Sequence, residues 1–344
     1  MPDIKWLLVA ILTSVALCSV PVLSANQLDS SESQSEEKEV KLLSSAETIS
    51  TTLDLKTKPR VALVLGGGGC KCVAQIGVLR VLEANKIPVD YIVGTSTGAT
   101  IGAMYAAGMS VDEIQKFYVD DIVQKAMIPR LAPRLVMLPF VQAERDITDT
   151  GYAGVTNGAH FKAFLIKTLP ANFSDLKIPF SAVTTDLITG KTFVFSKGNL
   201  PIAVQASNSL PPMYEPLAID GKVLVDGAIR ANVPAKWARD AGADVVIAVD
   251  VDPLIKAEDP RNFSRLKDVL LRVSDIGLAE LDMREELEAD ISIRPETNGI
   301  KIMTGNKKYL EEAITNGEQA ASQALPKIMD ALQQHGIANT SSAL

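Results

Sequence analysis

Apolar positions along this chain come in short blocks, set apart by glycine, proline and polar clusters. Residues 60–65 (Arg-Val-Ala-Leu-Val-Leu) form the first block and predict a strand. After a run of glycines, residues 73–85 are apolar on most faces (Val73, Ala74, Ile76, Val78, Leu79, Val81, Leu82), which predicts a helix packed against a sheet. Asn85-Lys-Ile-Pro88 ends it, and residues 89–93 predict a second strand, followed by a third apolar segment with helical composition. Strand, helix, strand, helix in close succession implies parallel pairing in a sheet covered on both faces.

Further along, Ile114, Phe117, Tyr118 and Ile122 share one face of a helix predicted over residues 110–128. Residues 129–157 are broken by Pro129, Pro133, Pro139, Gly151 and Gly154, with Gly158 just beyond, which predicts a loop-rich lid or wall over a site. A short helix is predicted at 161–169. A strand at 180–186 leads through Thr189-Gly190 into Thr192-Phe-Val-Phe195, as a hairpin or as neighbouring strands. A helix at 201–209 gives way to irregular Leu210-Pro-Pro-Met-Tyr-Glu-Pro216. Ile219-Asp-Gly-Lys222 is a tight turn, Val223-Leu-Val225 runs into Asp226-Gly-Ala228, a helix ends at Gly242, and residues 245–250 predict a buried strand. Leu266, Val269, Leu270 and Val273 repeat at helical spacing, and residues 309–332 hold another helix. No internal repeat is visible.

Composition narrows the class. Of 344 residues, 47% are hydrophobic, enough for a large core, and 22% are charged. A net charge of −7 and a pI near 5.1 argue against nucleic acid as a partner. Lys5 precedes an apolar stretch from Trp6 to Val20, then Pro21 and the small residues Ser24 and Ala25. That order predicts a signal peptide over 1–25 and an exported protein, periplasmic or associated with the cell envelope; an N-terminal membrane anchor is the alternative. Leu17 before Cys18 is too large for lipoprotein processing. Residues 26–58, rich in Ser, Glu and Lys, predict a polar linker. The folded part is expected to hold a catalytic unit over 59–255 and a mainly helical cover over 256–344.

Beyond the leader only Cys70 and Cys72 remain, and with His160 and His335 as the sole histidines no four-ligand zinc site is expected. The glycine run admits three chemistries. A P-loop fails at Leu65, Cys70 and Cys72. A dinucleotide loop fits Gly67 and Gly69, with Asp90 as the ribose carboxylate, but has Cys72 where its third glycine belongs. An oxyanion hole fits as well, and it alone accounts for Gly94-Thr-Ser-Thr-Gly98, whose Gly-x-Ser-x-Gly spacing is that of a nucleophile elbow between strand and helix. The base for such a serine is His160, His335 or Asp226; Asp226 ends a strand-like segment at a Gly-Ala turn.

The run Gly67-Gly-Gly-Cys-Lys71, the elbow around Ser96 and Asp226-Gly-Ala228 together resemble the patatin-like phospholipase family, over roughly residues 60–252 and through Thr185-Asp-Leu-Ile-Thr-Gly190 and Ala206-Ser-Asn-Ser-Leu-Pro211. The resemblance implies a three-layer α/β/α sandwich with a mostly parallel central sheet and a Ser–Asp dyad that hydrolyses acyl esters of lipids without metal or cofactor. Carried over, Ser96 is the nucleophile, Asp226 its base, and Gly67, Gly68 and Gly69 the oxyanion donors. Lys71 stands where the family usually has Arg and keeps the charge beside the substrate. Expected partners are a lipid or acyl-ester substrate and a membrane surface. A non-catalytic lipid-binding or scaffold protein on the same fold is the alternative. Cys72 replaces a family glycine and Gln75 replaces what is often His. If that glycine has positive φ, Cys72 is strained; Cys70 and Cys72 are then expected either to pair on oxidation or to fill space beneath the loop.

Overall fold

In the computed structural model, which describes residues 60–127, 154, 156–300 and 306–337, the apolar blocks assemble into a single eight-stranded sheet. Its strands are β1 (Val61–Leu65), β2 (Tyr91–Thr95), β3 (Phe180–Asp186), β4 (Lys191–Phe195), β5 (Leu217–Ile219), β6 (Lys222–Asp226), β7 (Val245–Val249) and β8 (Ile291–Ile293). They lie in the order β5-β6-β3-β2-β1-β7-β8, with β4 paired to β3. The central pairs β3–β2, β2–β1, β1–β7 and β7–β8 are parallel; the β3–β4 and β5–β6 hairpins and the β3–β6 pair are antiparallel.

Alternate residues explain the two covered faces. Val61, Leu63 and Leu65 point into one core and Ala62 and Val64 into another. The first core takes in α1 (Ala74–Ala84), α2 (Thr97–Ala106), α3 (Val111–Val119) and α9 (Lys307–Gln334), together with α5 (Ala159–Thr168) and α6 (Leu200–Ser207). The second is thinner and is roofed by α7 (Ala235–Asp240). The fold is therefore the expected three-layer α/β/α sandwich.

Helix α9 crosses α1 at two glycines. A Cβ on Gly317 would stand 1.9 Å from the Ala74 carbonyl, and one on Gly77 would stand 2.0 Å from the Ile314 carbonyl. With no side chain at either point the two backbones touch, and Leu310, Ala313, Ile314, Ala321, Ile328 and Leu332 of α9 are buried. The chain's C-terminal third also adds β8 to the sheet, a strand too short for apolar periodicity to announce.

Several sequence-based boundaries shift. The single helix expected at 110–128 is two, α3 and α4 (Ile122–Met127), because Asp121 takes φ 62° between them. Ser110 and Glu113 close a reciprocal capping box at the start of α3. In α8 (Leu266–Glu286) the helical spacing is real, but Leu266, Val269 and Val273 face outward rather than into the core. The leader at 1–25, the linker at 26–58 and the loop-rich wall at 129–157, apart from residues 154, 156 and 157, lie outside the described residues.

The sheet register brings the site together. Strand β3 is longer than β2 and carries β4 along one edge. Its other edge is shared: β2 occupies the first half, up to Thr95 opposite Val183, and β6 the second half, beginning with Asp226 opposite Thr184. The last residues of β2 and β6 thus meet end to end, although 130 positions separate Ser96 from Asp226 in sequence.

Candidate active site

Ser96 follows β2 with φ 54° and ψ −127°, a conformation costing on the order of 1–3 kcal/mol for a residue with a side chain. The glycines on either side make the turn possible. A Cβ on Gly94 would lie 2.6 Å from the Ala99 Cα, and one on Gly98 would lie 2.3 Å from the Leu65 carbonyl oxygen. The elbow therefore sits directly against the end of β1, and α2 starts at once, with the Ser96 carbonyl accepting from the amides of Ala99 and Thr100. Ser207 of α6 braces the strained residue: its Oγ accepts from the Ser96 amide at 3.0 Å and donates to the Val183 carbonyl at 2.6 Å.

The Ser96 hydroxyl donates to Asp226 Oδ2 at 2.6 Å. The other carboxylate oxygen accepts from the Ala228 amide at 2.9 Å, which fixes the plane of the group. Asp226 is buried, and this desolvation raises its pKa to about 7 despite the opposing pull of the Ser96 and Ala228 hydrogen bonds. A carboxylate poised there is a far better proton acceptor at neutral pH than an ordinary aspartate.

The glycine loop passes over this pair. A Cβ on Gly67 would stand 3.1 Å from the Ser96 Cβ and 2.6 Å from Asn232 Oδ1. Gly68 (φ 149°) and Gly69 (φ 61°) are in the left-handed region, open to glycine, and their amides donate to no described residue. The Gly67 amide, by contrast, donates to the Asn232 carbonyl at 3.2 Å. Of the three expected oxyanion donors, then, Gly68 and Gly69 are open and Gly67 is engaged in holding the loop. The Gly66 carbonyl accepts from Gln75 Nε2 at 2.7 Å and from the Cys72 thiol at 3.4 Å, which pins the preceding peptide.

Other expectations are corrected. Lys71 is buried with its ammonium 2.6 Å from Asp252 Oδ1, so its charge is taken up inside the protein and not offered to a substrate. Cys72 lies in a 3₁₀ turn (Gly69–Val73) without positive φ, so the expected strain is absent; the residues that need glycine are Gly68 and Gly69. Both cysteines are buried and neither is in a disulfide, and burial pushes the Cys72 thiol well above its ordinary range. Asp90 accepts from the amides of Arg60 and Val61, at the opposite end of β1 from the glycines, which removes the dinucleotide reading. His160 is exposed on the first turn of α5, and His335, through its carbonyl, is tied to Arg60 at that same far end. Ser207 and Asn232 were not singled out as site residues from sequence, since each acts through one brace or one backbone carbonyl and carries no spacing signal.

With Asp226 as the base, activity must rise with pH as its proton leaves, reaching half its maximum near pH 7 and a plateau above it. His160→Ala is expected to leave that profile unchanged. A kcat/KM profile between pH 5 and 9 for both proteins checks this, and a profile displaced by His160→Ala would point to a Ser–His pair.

A patatin-like phospholipase family model matches residues 63–239, which is more than half of the chain. An NTE family protein of Mycobacterium tuberculosis is 31% identical over 235 residues, covering 63% of this chain and 59% of the relative. Patatin-like phospholipase domain-containing protein 7 of Rattus norvegicus is 37% identical over 199 residues, 56% of this chain but 13% of that much longer protein. The solved structure of VipD from Legionella pneumophila superimposes with a TM-score of 0.46 at 16% identity, covering 78% of this chain and 67% of that one.

Proposed function

The chain belongs to the patatin-like phospholipase family, and from that premise we propose that it is a serine lipid acyl hydrolase working through Ser96 and Asp226. The observation that carries the reading is the 2.6 Å hydrogen bond from the Ser96 hydroxyl to a buried carboxylate, beside a glycine loop whose Gly68 and Gly69 amides donate to no described residue. Asp226 takes the hydroxyl proton as Ser96 Oγ attacks an ester carbonyl. The negative charge that develops on the carbonyl oxygen is met by the Gly68 and Gly69 amides. Asp226 then returns the proton to the departing alcohol, leaving an acyl-serine. Water, activated by the same carboxylate, releases the fatty acid and regenerates the hydroxyl.

A lipid surface as the source of substrate is supported by the rim. Leu187 and Ile188 lie just past β3, Ile229 just past the Asp226 turn, and Leu254 and Ile255 past β7, and all five are exposed at the strand ends where Ser96 sits. Among the described residues no helix is long and apolar enough to cross a membrane. The test is fatty-acid release from phospholipid vesicles alongside hydrolysis of a soluble chromogenic ester. Replacing Leu187 and Ile188 by Ser is expected to cut vesicle hydrolysis about tenfold and to leave the soluble ester within about twofold. Equal losses on both substrates count against surface docking. Absence of hydrolysis on either substrate favours the non-catalytic lipid-binding alternative.

Export belongs to the same proposal and rests on the leader pattern of residues 1–25. Mass spectrometry of the mature protein is expected to begin near residue 26, and an intact Met1 in the membrane fraction would replace export by anchoring.

A further inference from the structure

A second group of charged side chains lies behind the glycine loop and takes no part in the dyad. Asp250 and Asp252 follow β7, and Asp282 reaches them from α8. One carboxylate oxygen from each lies within 4.8 Å of the others. Asp250 and Asp282 are 0% and 1% exposed, a placement that acidic residues adopt rarely unless something compensates them. Around them, Asp252 pairs with Lys71 and accepts from Asn232 Nδ2, and Asp250 lies 2.7 Å from Arg294 Nη1. Asn232 Nδ2 also donates to Asp282 Oδ1 at 3.1 Å, but Asp282 Oδ2, equally buried, has no hydrogen-bond partner among the described residues.

The charge does not balance within the protein. Glu285 and Glu286 flank the three aspartates, the first accepting from the Val233 amide and the second pairing with Arg294, so among the described residues five carboxylates face Lys71, Arg294 and, at Glu285, Arg230. A buried excess of negative charge is costly unless a positive group or ion offsets it.

We propose that Asp250, Asp252 and Asp282 form a binding site for a hard divalent cation of the calcium class, with the unpartnered Asp282 Oδ2 as its open ligand. All the donors are carboxylate oxygens, which suit calcium or magnesium rather than zinc or copper. Oxygens up to 4.8 Å apart fit opposite sides of a calcium ion at ligand distances of about 2.4 Å, more easily than the tighter octahedron of magnesium at about 2.1 Å. The site would act on the loop and not on the substrate. Asp252 holds Lys71 of the 3₁₀ turn, and the backbone carbonyl of Asn232 holds the Gly67 amide, so a cation between the aspartates braces the glycine loop from behind.

The test is direct binding to the full chain, stripped with chelator and titrated with calcium chloride by calorimetry, with the melting temperature followed in parallel. Neither readout depends on hydrolysis, so failure here is distinguishable from failure of the enzymatic reading. We expect one calcium ion per chain and a rise in melting temperature of about 5 °C at a hundredfold excess over Kd, with a smaller rise in magnesium. Asp282→Asn, which keeps shape and removes the open oxygen's charge, is expected to fold and to lose both responses. Wild-type protein that neither binds nor shifts up to millimolar calcium overturns the proposal and assigns the charge balance to bound protons. Full retention of both responses in Asp282→Asn overturns it as well. If that variant does not fold, the wild-type titration still decides.

Discussion

Ser96→Ala is expected to retain less than about one-thousandth of wild-type kcat, and Asp226→Asn no more than a few times that. The reason is the geometry at the end of β2. Attack requires the Ser96 oxygen, and its proton has one described acceptor, Asp226 Oδ2 at 2.6 Å. Asparagine preserves the packing and still reaches the hydroxyl, but it cannot take a proton. Groups that act as a unit lose their function together, so the double variant should be scarcely worse than either single one. Stability should move the other way. Above pH 7 the buried Asp226 carries a charge at a desolvation cost, since its folded-state pKa lies above the ordinary value of an exposed aspartate. That unfavourable contribution is absent in acid, grows as pH rises from the ordinary aspartate range to about 7 and is complete above it, so Asp226→Asn is expected to melt at or above the wild-type temperature at pH 8. Turnover and calorimetry on the three variants check both halves. A wild-type rate in Ser96→Ala would end the mechanism.

Gly98→Ala is expected to be nearly as damaging, for a steric reason. Its Cβ would fall 2.3 Å from the Leu65 carbonyl oxygen and 2.4 Å from that of Gly66, both of them backbone atoms in the central strand and the glycine loop. No rotamer relieves such a contact, so α2 must shift away from β1, at a cost of about 3 kcal/mol or more. The shift carries Ser96 with it, and displacement of a reacting atom by about 1 Å is worth roughly a hundredfold in rate. Gly277→Ala is the control. It lies in α8 with nothing within 4 Å of its Cβ, so it is expected to stabilise the helix by up to about 1 kcal/mol and leave turnover unchanged. Melting temperatures and kcat/KM for the two variants separate the packing effect from any general intolerance of alanine for glycine.

Much of the molecule was legible before any coordinates. The buried strands β1 and β7 are short blocks of Val, Ile, Ala and Leu, and β2 and β3 mix Val, Ile, Ala and an aromatic residue with Ser or Thr; such short buried blocks have few alternatives in a parallel sheet. The elbow was legible because its constraint is local: strand, glycine, serine, glycine and helix lie within a few residues, and the positive φ of Ser96 is a property of that turn alone. Relations across sequence distance were not legible in the residues themselves, and the Ser96–Asp226 pair was reached there only through the family resemblance. The pairing of Ser96 with Asp226 depends on β2 and β6 sharing one edge of β3, a register that neither segment encodes by itself. The same holds for Lys71, whose charge was expected at the substrate until Asp252, 181 residues away, claimed it. The outward face of α8 shows why: periodicity states that a helix has an apolar stripe, but only the packed neighbours decide which side is covered. Gly67 was separated from Gly68 and Gly69 by a single carbonyl from Asn232, and Cys72 was relieved of strain by the positive φ falling at Gly68 and Gly69 instead. Composition and spacing determined the elements, the serine elbow and a parallel sheet covered on both faces, because those follow from local conformation and burial. Which donors stay open, which charges are neutralised and which aspartate meets the serine were decided only when distant strands and loops came into contact.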